Sequence, residues 1–373
     1  MRLKNLTLKN YRNFSHQNLE FDPDFNLFYG QNGQGKTNLL EAIWLLCGAK
    51  SFRPGSAESF VRFGEEGYCL ESNFFSGERD QTSVIRWYEG KKKILRNDVE
   101  LTSPAQLCES FYCVVFHPSV CEIVSGAPAD RRRFLDTAIT CIYPAYYRIC
   151  SDYAKLVANR NRILRDLSYQ SALLDLLEEY DVALASAAVQ MTRYRASYCA
   201  RLSEKAAGFY RGISFEKEPL SLSYQTSVPG FEVLAAEDPR EAAEEFVRIL
   251  RSRRKEEVEQ KTTLQGPHRD DLSLSIFDRN AREFGSVGQQ RSIVIALKLA
   301  EAEILEEKRG EPPVILLDDV LSELDRERQG YLLDRFSGNQ IFVTCCDIDP
   351  FSRMSRGKAF EIKGGRVNRE SSF

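Results

Sequence analysis

Gly30-Gln31-Asn32-Gly33-Gln34-Gly35-Lys36-Thr37 follows the spacing G-x-x-x-x-G-K-[ST]. Glycines at these points let a backbone wrap tightly and aim several N–H groups at phosphate oxygens. A helix starting at the same place adds partial positive charge. Lys36 would reach the β- and γ-phosphates of a nucleotide, and Thr37 would ligate Mg2+. A second set of residues, Val314-Ile315-Leu316-Leu317-Asp318-Asp319, has four apolar residues followed by two acids. Such a run forms a central parallel strand whose acids leave its carboxyl end, where open α/β sheets bind ligands. Asp318 is placed to hold Mg2+ through water, and Asp319 to polarise an attacking water. Together the two sets predict ATP and Mg2+ as ligands.

These residues need elements to position them. Residues 26–29 read as a short buried strand running into the glycine-rich turn, and 38–47 as a helix with Leu39, Leu40, Ile43, Trp44 and Cys47 on one face. Residues 68–101 read as hairpins, with Lys91, Lys92 and Lys93 at a solvated tip. The character changes near Pro128. Between 131 and 210 Gly and Pro are scarce, and Tyr180, Leu184, Ala187, Met191, Tyr194 and Tyr198 alternate at spacings of four and three, the ~3.5-residue repeat of helices packed along a seam. Tyr153, Leu156, Ile163 and Leu167 fit the same scheme, with Arg160 in the gap. An antiparallel helical hairpin broken by polar residues around Ser168 and Ser171 is expected, its first helix roughly 27 Å long. A charged helix follows at 239–260, and α/β character returns from Thr263: a helix at 286–308, then strands at 314–317 and 341–344.

Bulk properties narrow the class. A hydrophobic content of 43% supports a real core, and no apolar run is long enough for a membrane span. With no signal-peptide pattern at the start, a cytoplasmic protein with reduced cysteines is expected. The net charge of −3 gives no global pull on nucleic acid, so a DNA site must be local. Residues 131–166 hold eight bases and three acids, and the tail from Arg353 is also basic. Arg160, Arg162 and Arg165 are the candidate DNA contacts, while Arg131, Arg132 and Arg133 could instead anchor the arm. Asp270 and Asp271, adjacent in a strand, would face opposite ways and not share a metal, and His268 reads as a structural hydrogen bonder.

Phe284-Gly285-Ser286-Val287-Gly288-Gln289-Gln290-Arg291 resembles the signature motif of ABC-type ATPases in the form used by the SMC and RecF group, and Ser322-Glu323-Leu324-Asp325 resembles their D-loop. The resemblance implies that Ser286, Gly288 and Gln289 meet the γ-phosphate held by another copy, with Ser322 and Asp325 in the D-loop. A homodimer then closes around ATP. The phosphate loop lies far in sequence from the other motifs, and the insert carries hairpins and a short arm. That layout is similar to SMC-like repair ATPases. Leu6 to Phe14, Ala49 to Arg53, Gly126 to Asp136 and Gly266 to Leu272 extend the likeness to the RecF family through most of the chain.

Membership would imply an α/β fold: an ABC-type P-loop ATPase head split between residues 1–130 (with a β-hairpin lobe) and 261–373, and an inserted short antiparallel helical arm at 131–260. It would also imply that Arg12 touches nucleotide phosphate. The expected activity is a weak, Mg2+-dependent, DNA-stimulated ATPase of recombinational repair. Its ATP-driven dimer would clamp duplex DNA at gaps or junctions and help load RecA with RecO and RecR. Asp319 stands where transporter ATPases carry Glu, no Q-loop glutamine lies near Phe116-His117-Pro118, and Cys345-Cys346-Asp347 replaces a switch histidine. These departures point to slow hydrolysis. With the split head and arm, they disfavour a transporter energy module; the stub arm disfavours a structural chromosome organiser.

Overall fold

The computed structural model describes residues 1–53, 55–167, 172–214, 218–348 and 356–373. The expected polar break around Ser168 and the start of the basic tail at Arg353 lie outside them. The chain forms two compact units, residues 1–120 with 297–373, and residues 121–296. The boundary differs from the expected one, because residues 261–296 cluster with the arm.

The first unit opens with β1 (Arg2–Tyr11), β2 (Phe14–Glu20), β3 (Phe25–Tyr29) and α1 (Lys36–Leu46). Then come β4 (Gly67–Ser76), β5 (Arg79–Tyr88), β6 (Lys91–Arg96), β7 (Val99–Glu100) and β8 (Cys113–Phe116). The second unit holds α2 (Glu122–Ser125), α3 (Pro128–Ile142), α4 (Ala145–Asp166), α5 (Leu173–Ser214), β9 (Leu220–Gln225), α6 (Phe231–Glu237), α7 (Pro239–Gln260), β10 (Asp271–Ile276), β11 (Arg279–Asn280) and α8 (Ala281–Phe284). The division falls within α9 (Val287–Arg309), after which β12 (Val314–Asp318), α10 (Arg326–Arg335), β13 (Ile341–Cys345), β14 (Lys358–Lys363) and β15 (Arg366–Ser372) complete the first unit.

Two sheets build the first unit. One is antiparallel, ordered β2-β1-β4-β5-β6-β7, and β4 alternates buried and half-buried residues as a one-sided sheet should. The other, ordered β15-β14-β3-β13-β12-β8, is parallel from β14 to β8, and β8, β12 and β13 are buried throughout. Leu6 and Leu8 of the first sheet and Phe28, Leu316 and Phe342 of the second share one core with Leu39, Leu40, Ile43 and Trp44 of α1. α1 is therefore buried nearly all round rather than on one face. The core fixes the helix whose first residues carry the phosphate-loop chemistry.

In the second unit α5 runs for 42 residues and packs against both α4 and α7. The expected two-helix hairpin is thus a three-helix layer, with a small sheet ordered β11-β10-β9. Among the described residues no helix is long and apolar enough to cross a membrane, and the ten cysteines form no disulfide.

Candidate nucleotide site and the elements that hold it

The phosphate loop leaves β3 and enters α1 through glycines that cannot be replaced. Gly30 has φ +141°, and a Cβ there would lie 2.4 Å from the Ile362 carbonyl oxygen. Gly35, at φ +116°, would place one 2.7 Å from the Asn13 side chain. No side chain caps α1 and no acid sits in its first turn, so its leading N–H groups are available to an anion. Lys36 is buried, and its Nζ folds back to donate to the carbonyls of Gly30 and Gln31 (3.1 Å) and to Asn32 Oδ1 (3.4 Å). Gln34 serves as a tether: its carbonyl accepts from Asn13 Nδ2 (2.8 Å) and Gly365 N (3.1 Å), and its Oε1 from Gly364 N (2.7 Å). The turn between β14 and β15 thereby braces the loop.

Arg12 occupies left-handed backbone, φ +54°. Its Nε and Nη2 donate to Glu41 at 3.0 and 2.9 Å, and its Nη1 to the Ser59 carbonyl at 2.9 Å. Glu41, fully buried on α1, also takes Tyr11 Oη (2.9 Å), Ser51 Oγ (2.6 Å) and the Arg53 guanidinium. Burial alone would raise the Glu41 carboxyl, but hydrogen bonds from Arg12, Arg53 and Ser51 outweigh it and hold its pKa below the usual value. Arg53 further donates to Asn38 Oδ1 at 2.7 Å. Glu41 and Arg53 escaped the residue-by-residue reading of the sequence. An acid among the apolar residues of α1 was the available signal.

At the ends of the parallel strands, Asp318 Oδ1 accepts from Thr37 Oγ1 (2.9 Å) and Thr344 Oγ1 (2.8 Å). Burial pushes the Asp318 carboxyl up, against these two bonds and the nearby positive charge of Arg53. A buried carboxylate beside a hydroxyl offers hard oxygen donors, and Mg2+ sites take one or two carboxylates with the rest from water and phosphate. Thr37 and Asp318 therefore fit that ion. Thr344, paired in register with Asp318 on β13, was missed; its signal was a hydroxyl ending a buried apolar run. Asp319 turns out of the strand at φ +55°, its N–H bonded to Thr344 Oγ1 (2.9 Å). Ser322 Oγ donates to the Asp319 carbonyl at 2.7 Å and lies 3.1 Å from its carboxylate. Asp325 caps α10, accepting Arg328 N at 2.9 Å and pairing with the Arg328 guanidinium.

The signature segment lies in the second unit. Ser286 and Gln289 form a reciprocal cap on α9: Ser286 N donates to Gln289 Oε1 (2.8 Å), and Gln289 N to Ser286 Oγ (3.2 Å). Ser286 and Gly288 are exposed. The candidate DNA arginines divide. Arg160 is fully buried, bonded to Asp181 (2.7 Å), Glu257 (2.6 Å) and Thr263 Oγ1 (2.9 Å), so it is a structural residue and not a DNA contact. Its place on the arm, which made it a candidate, is covered by Glu257 of α7. Arg162 and Arg165 are exposed. Arg131 pairs with Asp271 through two bonds, and Arg132 donates to the Asp270 carbonyl, all within the second unit. His268 bonds Tyr153 and the Thr263 carbonyl, and burial lowers its pKa to about 4.

A parallel sheet with a glycine-rich phosphate loop, an acidic strand end and a helix-capping signature segment defines an ABC-type ATPase head carrying a helical arm. The model of the RecF/RecN/SMC N-terminal domain matches residues 2–365. The "DNA replication and repair protein RecF" of Heliobacterium modesticaldum is 37% identical over 376 residues, covering all of both chains. That of Ruminiclostridium cellulolyticum is 34% identical over 372 residues, 99% of each. The solved structure of the recombination mediator protein RecF-ATP in the RecFOR pathway superposes with a TM-score of 0.90 at 33% identity, covering 100% of this chain and 97% of that one. The chain belongs to the RecF family.

Proposed function

We propose that this protein is an ATP-dependent DNA-binding protein of recombinational repair, whose nucleotide-closed dimer holds duplex DNA at gaps or junctions and assists RecA loading with RecO and RecR. The observation that carries the reading is the Thr37–Asp318–Thr344 cluster at the mouth of the phosphate loop. Lys36 and the first N–H groups of α1 bind the phosphates, while Thr37 and Asp318 hold Mg2+. The ion, when bound, neutralises charge on the β- and γ-phosphates. Asp319, held by Ser322, orients the attacking water; its reach is one methylene shorter than that of Glu, which fits slow turnover. The γ-phosphate side is completed by Ser286, Gly288 and Gln289 of a second copy. ATP binding thus becomes dimerisation energy.

Mixing variants tests the composite site. Ser286→Arg places a bulky cation where the second copy must close, so it should bind ATP but neither dimerise nor hydrolyse it. Asp319→Asn should bind ATP, form a long-lived dimer and turn over about a hundredfold more slowly, the lower range for losing a general base. Mixing Ser286→Arg with Lys36→Ala leaves one intact site per heterodimer, and partial activity should reappear. Normal hydrolysis by Ser286→Arg alone would sink the reading.

DNA affinity should come from phosphate neutralisation and fall steeply with salt. Arg162→Ala with Arg165→Ala should weaken binding and flatten the salt slope by about two units, one per lost phosphate contact, with ATP binding unchanged. Fluorescence anisotropy at several salt concentrations measures both. An unaltered slope moves the DNA surface off the arm.

A further inference from the structure

Glu218 joins the arm to the signature segment. Its Oε1 accepts Gln289 Nε2 at 2.9 Å, and its Oε2 accepts the Tyr210 hydroxyl at 2.7 Å. Tyr210 is fully buried near the end of α5, and Gln289 closes the cap with Ser286 at the start of α9. One carboxylate thus fixes the side chain of a signature residue and brings a full negative charge to within one hydrogen bond of it. The start of a long helix with an exposed serine and glycine is an anion-attracting place. A carboxylate beside it competes with an incoming phosphate.

We propose that Glu218 is a positioning residue of the composite site that sets how much ATP is needed for closure. In the single copy its carboxylate holds Gln289 in place, braced by Tyr210. As a second copy brings its nucleotide, the Gln289 amide passes from the carboxylate to the phosphate, and closure must overcome the repulsion between the two anions. This rests on the composite-site reading above.

Glu218→Gln keeps a carbonyl oxygen to accept Gln289 Nε2, presents its amide N–H to the Tyr210 hydroxyl, which can accept as well as donate, and removes the charge. In sedimentation of the full chain with Mg2+ and increasing ATP, the variant should reach half-dimer at roughly tenfold lower ATP, the scale of one like-charge contact largely screened by water. Glu218→Ala removes the charge and the anchor together, so its requirement should fall between that of Glu218→Gln and the parent chain. It serves equally if Glu218→Gln melts early. Binding of a fluorescent ATP analogue in a Ser286→Arg background, where closure is blocked, should be the same with Glu218 or Gln. A merely structural role would leave the dimerisation midpoint unmoved or raise it in both variants. Either result, with Ser286→Arg still monomeric, overturns the inference alone. Dimerisation by Ser286→Arg would overturn the composite site itself.

Discussion

Lys36→Ala should leave a folded protein that neither hydrolyses ATP nor dimerises in its presence. The Lys36 ammonium already lies inside the loop, donating to the Gly30 and Gln31 carbonyls and to Asn32. On the proposed function, its charge is held where the β- and γ-phosphates would lie. Hydrogen bonds to charged groups contribute about 1.5–3 kcal/mol each, so losing two lowers nucleotide affinity and turnover by about 10²- to 10⁴-fold. Dimerisation should disappear with it, because on the proposed composite site closure draws on the bound γ-phosphate. Sedimentation with ATP and Mg2+ reads the dimer, and phosphate release reads turnover. A Lys36→Ala protein that still dimerised with ATP would falsify the role given to this side chain.

A different kind of loss is expected at Arg160. Its guanidinium holds Asp181 from α5, Glu257 from α7 and the Thr263 hydroxyl, with both acids fully buried. Replacing Arg160 by Ala takes the guanidinium from buried Glu257, which keeps the Leu264 N–H, and leaves Asp181 to Arg254 at 3.2 Å; breaking one buried pair in this way typically costs about 3–5 kcal/mol. For a unit of this size that corresponds to a fall in melting temperature on the order of 10 °C. Arg160→Lys should recover little, since one ammonium cannot reproduce the planar fork. Arg162→Ala, on the exposed side of α4, should melt with the parent. The pair of variants separates loss of DNA binding through unfolding from loss through contact. A melt within about 2 °C of the parent for Arg160→Ala would remove the triad as a stabilising element of the arm.

The phosphate loop and the acidic strand were legible because each is a short run whose chemistry depends on local spacing. Lys36, Thr37, Asp318 and Asp319 therefore stood out before any fold was known, and the structure brings them together in one unit. Glu41, Thr344 and Arg160 were not legible as parts of networks, because each lacks a motif that names its partner. Arg160 meets Glu257 across 97 positions, and even Glu41, only 12 positions from Arg53, sits in an apolar run that does not point to it. A basic residue in a helical repeat looks the same in sequence whether it faces solvent or a buried acid. Contacts that reach back across a loop are equally silent in sequence. Residues 261–270 resume loop character, but Thr263, His268 and Asp270 bond back to the arm-side elements.

Length change in α5 is constrained by rotation as much as by distance. The helix spans about 63 Å at 1.5 Å per residue. It carries Asp181 toward Arg160 near one end, Arg195 toward Asp136 in the middle and Tyr210 toward Glu218 near the other. From Leu173 to Ala207 it contains neither Gly nor Pro to absorb a misfit. Inserting one residue between Asp181 and Tyr210 turns everything beyond it by about 100°, so every later partner would face the wrong way. Seven residues would nearly restore the angle, leaving a residual of only about 20°. The arm of this protein can therefore drift in sequence at its surface, but its length is quantised: it can grow or shrink only in whole helical phases.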